Sequence, residues 1–185
     1  MKLRDVVIFN GQRFSVPQCI QRIDKDSTHG WQVRYQGTKL FSDGSPDGSG
    51  AARSLQLATR ELLNRIATLP APVTLQRGPS AHKTSDLPPG ISGPIARARK
   101  NSSVRSASLS VLLPRFGQRP KITSIYIGNE NTYTKTRYRE AVAKAIAMRR
   151  AAEERYEADA TRARRKEAAQ LRTALRGTKS GSARA

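Results

Sequence analysis

The side chains able to do chemistry in this chain are mostly arginines and lysines. There are 34 of them against 14 acidic residues, a net charge of +20. Several stand at strand spacing. Arg97 and Arg99 are two apart in ARARK, with Lys100 next, and Arg105 follows. Arg115, Arg119 and Lys121 cluster around a Gly-Pro segment, and Ser124 and Tyr126 alternate in KITSIYIG. Arg34 and Lys39 stand in the earlier stretch GWQVRYQGTKLF, and Arg162, Arg164 and Arg165 in the tail. Residues two apart on a strand share a face, and an arginine fork can bond guanine O6 and N7 together in the major groove. The chemistry this pattern suits is nucleic-acid recognition. An internal balance of so many cations is out of reach, which favours a polyanionic partner.

Each group has a plainer alternative. Arg97 and Arg99 are otherwise solvated charges on an exposed sheet face, and the charge excess decides for contact with nucleic acid. Tyr126 suits stacking on a base or touching a thymine methyl, but a one-residue slip in register would turn it into the core. Ile125 and Ile127, large and apolar on either side, favour Tyr126 facing outwards. Trp31 shares its face with Val33 and Tyr35, so the core is preferred to a base contact. Arg162, Arg164, Arg165 and Lys166 would attract phosphates without reading sequence. Alternatively they form a solvated helix face, because Glu153, Glu154, Glu157 and Glu167 lie nearby in the chain and can pair with it.

Other chemistries find little support. Cys19 is the single cysteine, and His29 and His82 are the only histidines, so a Cys/His metal centre is not expected. There is no phosphate-binding glycine loop, dinucleotide fingerprint, His-Glu-x-x-His or nuclease signature. Asp24 and Asp26, with Asp5, are the one hint of a carboxylate group, and carboxylates in turn-rich segments are usually solvated. The expectation is a protein that is not an enzyme and uses no cofactor. No apolar run suits a signal peptide, a bilayer span or a surface anchor, so an intracellular, cytoplasmic or nucleoid-associated protein is expected.

The elements that must position these residues follow from periodicity. With 37% hydrophobic and 5% aromatic residues over 185 positions, small units are expected rather than one large core. Residues 1–67 form a first unit. VVIF ends at Asn10-Gly11, a tight-turn signal, and RFSVP and CIQRID are short strands. Gly30 to Asp43 reads as a hairpin, and Ser49 is the expected cap of a helix with Ala51, Leu55, Ala58, Leu62 and Ile66 on one face. Residues 68–89 are a Pro/Ser/Gly-rich linker.

Residues 90–158 form the second unit. A basic first strand and a turn at NSSVRS lead to the alternating runs SLSVLLPR and KITSIYIG. A helix with Tyr138, Val142, Ala145, Ile146 and Ala152 on one face comes next. From residue 159 the helix is rich in Ala and Arg and is expected to be a solvent-exposed extension, with a disordered basic end. Laid over each other, the units suggest a degenerate repeat of roughly 60 residues. The fold class expected is α+β: two units, each a three-stranded antiparallel sheet backed by one helix, with a long C-terminal helical extension.

The second unit resembles the Apetala-type (ethylene-response-factor) DNA-binding domain in its diverged bacterial and phage form. The likeness lies in LPPGISG (Leu87 to Gly93), SLSVLLPR, IYIGN (Ile125 to Asn129) and REAVAKA (Arg139 to Ala145). Tyr126 stands where plant members carry tryptophan. The first unit, through GWQVRYQ and ARSLQLATREL, is similar to a more degenerate copy. The resemblance implies a three-stranded sheet laid in the major groove, contacting DNA through Arg97, Arg99 and Tyr126, and in the first unit through Arg34, Lys39 and Phe41. Double-stranded DNA is therefore the expected partner, in a transcription or recombination accessory role. RNA, or a protein docked on the long helix, is the alternative. The oligomeric state is not legible.

Overall fold

The computed structural model describes residues 1–79, 81–98 and 104–181. Its elements are β1 (Leu3–Val7), β2 (Arg13–Pro17), β3 (Ile20–Lys25), β4 (Thr28–Arg34), β5 (Thr38–Ser42), α1 (Ala51–Thr68), β6 (Ile91–Ala98), β7 (Arg105–Leu113), β8 (Lys121–Asn129) and α2 (Lys135–Gly181). The class is α+β. There are three antiparallel sheets, β1-β2, β3-β4-β5 and β6-β7-β8. The additional sheet is a separate hairpin, closed where the Gly11 N–H donates to the Ile8 carbonyl. The chain divides into two compact units: Met1–Pro72 together with the chain from Ala160, and Val73–Asp159.

In the first unit, Ile20 pairs with Val33, and Arg22 pairs with Trp31. Trp31, Val33 and Tyr35 are fully buried against Ala58, Leu62 and Ile66 of α1. The helix cap is Gly50, not Ser49, and it makes no side-chain capping bond to the first-turn N–H groups. A Cβ at Gly50 would lie 1.8 Å from the Asp43 carbonyl oxygen, so only glycine lets the loop close here. The Asp43 carboxylate is shut in beside it. It takes both Nη groups of Arg22, at 3.1 and 2.6 Å, and the Ser54 hydroxyl at 2.6 Å. Arg22 also lies over the Trp31 ring and bonds Asp24, whose Oδ1 the His29 ring also bonds. Asp24 is thus part of an ion-pair network that orders the start of α1.

The C-terminal stretch corrects the expectation of an exposed extension. Ala160, Ala168 and Leu171 are buried, and Ala168 joins the core containing Trp31 and Leu62. Arg165 Nε donates to the Ile66 carbonyl, Arg172 to that of Leu63, and the Ala71 N–H donates to the Thr161 hydroxyl. Alanine buries little area but lets a helix approach closely, so a lack of large apolar residues does not mean a lack of packing. The helix also continues through Gly181, into residues expected to be disordered.

In the second unit, Leu109 pairs with Ile125 and Ile91 with Val111, and these side chains are buried with Ile127. Ala141 and Ala145 of α2 close the core, with Tyr138, Val142 and Met148 packed around it. Ile146, expected on that face, is 41% exposed. The buried stripe instead runs Ala141, Ala145, Arg149. The Arg149 guanidinium bonds the Leu112 carbonyl and Glu153. At Gly128 a Cβ would sit 2.9 Å from the Tyr133 backbone, which explains the glycine after Ile125-Tyr126-Ile127.

Candidate nucleic-acid interface

Register fixes what the open face of β6-β7-β8 presents, because directly paired residues point the same way. Leu112 pairs with Ile122. Ser92, Ser110 and Ser124 make the next row, and Ile95, Ser108 and Tyr126 the third. Arg97, Ser106 and Asn129 complete it. Ile122 is 68% and Tyr126 55% exposed. Two hydroxyls are partly engaged, Ser106 with the Arg97 carbonyl and Ser124 with that of Leu109. No acidic side chain stands in these rows.

The cations flank the face rather than cover it. Arg97 is the one charged residue within the described rows, and Arg99 and Lys100 lie outside the described residues. Arg105 pairs with Ala98 and Lys121 with Leu113. By alternation both belong to the helix side, exposed at strand ends. Arg115 and Arg119 stand in the β7–β8 connection, where Arg115 Nε donates to the Arg119 carbonyl. With Gly117, Gln118 and Pro120 they border an open depression of about 640 Å3. The face therefore has a neutral centre of hydroxyls and apolar side chains. Arg97 and Arg105 stand at one end, and Arg115, Arg119 and Lys121 at the other.

In the first unit the open face of β3-β4-β5 carries Gln21, Gln32 and Leu40 in one row, Ile23, Gly30 and Ser42 in another, and Arg34 with Thr38 at its end. Arg34 is exposed there, its Nε bonded to Gln32 at 2.6 Å. Lys39 and Phe41 fall on the opposite side, paired with Val33 and Trp31. Lys39 lies over the Phe41 ring and 3.8 Å from Glu61 of α1. Both are removed from the candidate interface: a one-residue offset in a short strand exchanges its faces. In the tail, Arg162 is exposed, Arg164 pairs with Glu167, and Arg165 bonds α1. The two latter side chains are occupied in packing, so the tail is a weaker phosphate attractor than its letters suggest.

Comparison with family models, curated proteins and solved structures finds no match for this chain. No helix among the described residues is long and apolar enough to cross a membrane. Nor do three or more His, Cys, Asp or Glu side chains converge among them as a metal site would require.

Proposed function

We propose that this protein binds double-stranded DNA by laying the open face of β6-β7-β8 in the major groove, as a transcription or recombination accessory factor within the cell. The observation that carries the reading is the arrangement of that face: neutral hydroxyl and apolar rows in the middle, exposed cations at both ends. Base edges are read by hydrogen bonds and apolar contacts, while phosphates are gripped by charge. Neighbouring strands about 4.8 Å apart make a three-stranded sheet roughly 10 Å across between its outer strands, close to the groove's width of about 12 Å. From the Leu112 row to the Ser106 row is six residues of β7. At about 3.4 Å per residue that spans some 20 Å, or about six base pairs. Arg97 supplies the guanine-reading fork, Tyr126 and Ile122 meet thymine methyls, and the serines bond to either pair. The resemblance to Apetala-type domains agrees with this reading. The Gln21, Gln32 and Arg34 face of the first unit offers a second contact, glutamine being suited to adenine N6 and N7.

The test is enrichment sequencing from a random duplex pool, with double-stranded RNA as competitor and an Arg97→Ala/Tyr126→Ala variant alongside. A recovered motif, lost in the variant and not competed by RNA, is expected. Salt-sensitive binding with no motif, unchanged in the variant, would overturn a sequence-reading face. Preferential binding of RNA would move the site to recognition by shape.

A further inference from the structure

We infer that the first unit carries a phosphate-binding hollow, bordering its open sheet face at Gln21 and Arg34, that holds a backbone phosphate of a bound nucleic-acid strand. The hollow has a volume of about 380 Å3 and lies among β1, the β2–β3 turn, β3 and the end of β4. Lys2, Arg4 and Arg34 line it with their cations, Gln18 and Gln21 add amide donors, and the buried Ile20, half-buried Cys19 and Leu3 supply apolar lining. None of its lining residues is acidic.

The convergence of charge is built by the backbone. The Gln18 N–H donates to the Lys2 carbonyl at 3.0 Å, and the Arg34 N–H donates to the Cys19 carbonyl at 2.8 Å. These bonds pin three separate segments around one space. Two guanidinium groups are then oriented by single bonds that leave most of their donors unused. Arg4 Nη2 donates to the Ile20 carbonyl at 2.8 Å, and Arg34 Nε to Gln32. Arg164 adds positive charge within electrostatic reach of the Cys19 thiol. Glu167, the acid beside Arg164, is engaged by that arginine and by the Met1 amino group.

Three cations around one small space, two of them with oriented guanidinium donors, suit a group with several anionic or accepting oxygens. A phosphate meets that description, and an apolar lining suits the sugar carbons beside it. Free phosphate and a phosphodiester share this chemistry. The strand is favoured because the chain's excess of +20 suits a polyanion. For the source of the phosphate this inference rests on the nucleic-acid reading; for the site itself it does not.

The experiment titrates inorganic phosphate and a random-sequence duplex separately into the full chain, followed by backbone amide resonances. The duplex affinity is measured against salt in parallel. Both ligands are expected to shift the amides of Gln18, Cys19 and Gln21. Lys2→Ala/Arg34→Ala should remove those shifts and weaken all duplexes alike, reducing the salt slope by about one per side chain. Lys2→Gln/Arg34→Gln gives a second variant should the alanines unfold the hairpin. Arg150→Ala, exposed on α2, should leave the amide shifts in place. Duplex binding with an unchanged slope and no shift at these amides overturns the hollow while the sheet reading stands. Shifts with phosphate in a protein that fails to bind duplex keep the anion site but remove the strand as its source.

Discussion

Arg97 is the one charged side chain within the described rows of the second unit's open face, so in the proposed interface base discrimination would come largely from neutral groups. Arg97→Ala is expected to relax selection at one base pair by about 1–3 kcal/mol, read as loss of guanine preference in the enriched sequence. At the other end of the face Ile122 has no polar atom to offer, only contact with a methyl. Replacing deoxythymidine by deoxyuridine in the enriched duplex should weaken the protein about fourfold per contacted methyl, at roughly 0.8 kcal/mol each. Ile122→Ala should lose that sensitivity. Equal binding of both duplexes by the unaltered protein would remove thymine-methyl readout.

The Arg22–Asp43 pair makes a different prediction, because Arg22 is 6% and Asp43 0% exposed at the side chain. Asp43→Ala leaves a buried guanidinium without its main partner, and a loss of about 3–5 kcal/mol is expected in urea unfolding. Acid acts on the neighbouring carboxyls. Burial pushes Asp24 up, but bonds and charges from Arg22 and His29 outweigh it and hold the group below its usual 3.8. Asp47 is held at about 2 by bonds from Ser45 and Ser49. Folded values below unfolded ones mean that the stabilisation is present at neutral pH. It is lost as pH falls below the usual carboxylate range toward those values. Thermal melts should show this fall, and Asp24→Asn should flatten it.

At the scale of elements, the strands whose alternation is strict were legible and the others were not. Leu109, Val111, Ile125 and Ile127 fix the parity of β7 and β8, and with it the outward placement of Ser124 and Tyr126. The same parity places Arg105 with Leu109, but charge alone drew it to the interface. In β5 the sequence TKLFS puts large side chains at consecutive positions, so nothing local says that Phe41 faces α1 and Leu40 faces out. Partners distant in sequence were invisible for a different reason. The Arg149 bond to the Leu112 carbonyl and the Asp43 network join residues that no period connects. Gly128→Ala tests the close approach that holds the turn into α2. A Cβ there meets backbone rather than a yielding side chain, so the turn into α2 must shift. A loss of stability above the ~1 kcal/mol typical of single substitutions is expected in denaturant titration.

For the whole molecule, the decisive point is that α2 contributes to both units, its first part to the second and the chain from Ala160 to the first. A reading by composition treats everything after Asp159 as a dispensable basic tail whose removal would only weaken non-specific binding. The packing says otherwise. Ala168 sits in the core with Trp31, and Arg165 and Arg172 bond the Ile66 and Leu63 carbonyls of α1. Carbonyls near a helix C-terminus lack intrahelical donors, so the tail arginine on Ile66 satisfies a group that truncation would leave open. A chain ending after Asp159 is therefore expected to lose stability in its first unit. The change should appear as reduced burial of Trp31, the sole tryptophan, in its fluorescence, and as a lower melting temperature. Leu171→Ala separates the two explanations, since it keeps every charge and removes buried apolar area worth about 2–5 kcal/mol. If that variant melts like the unaltered chain while truncation lowers only the salt slope of duplex binding, the tail acts by charge and its packing contributes nothing.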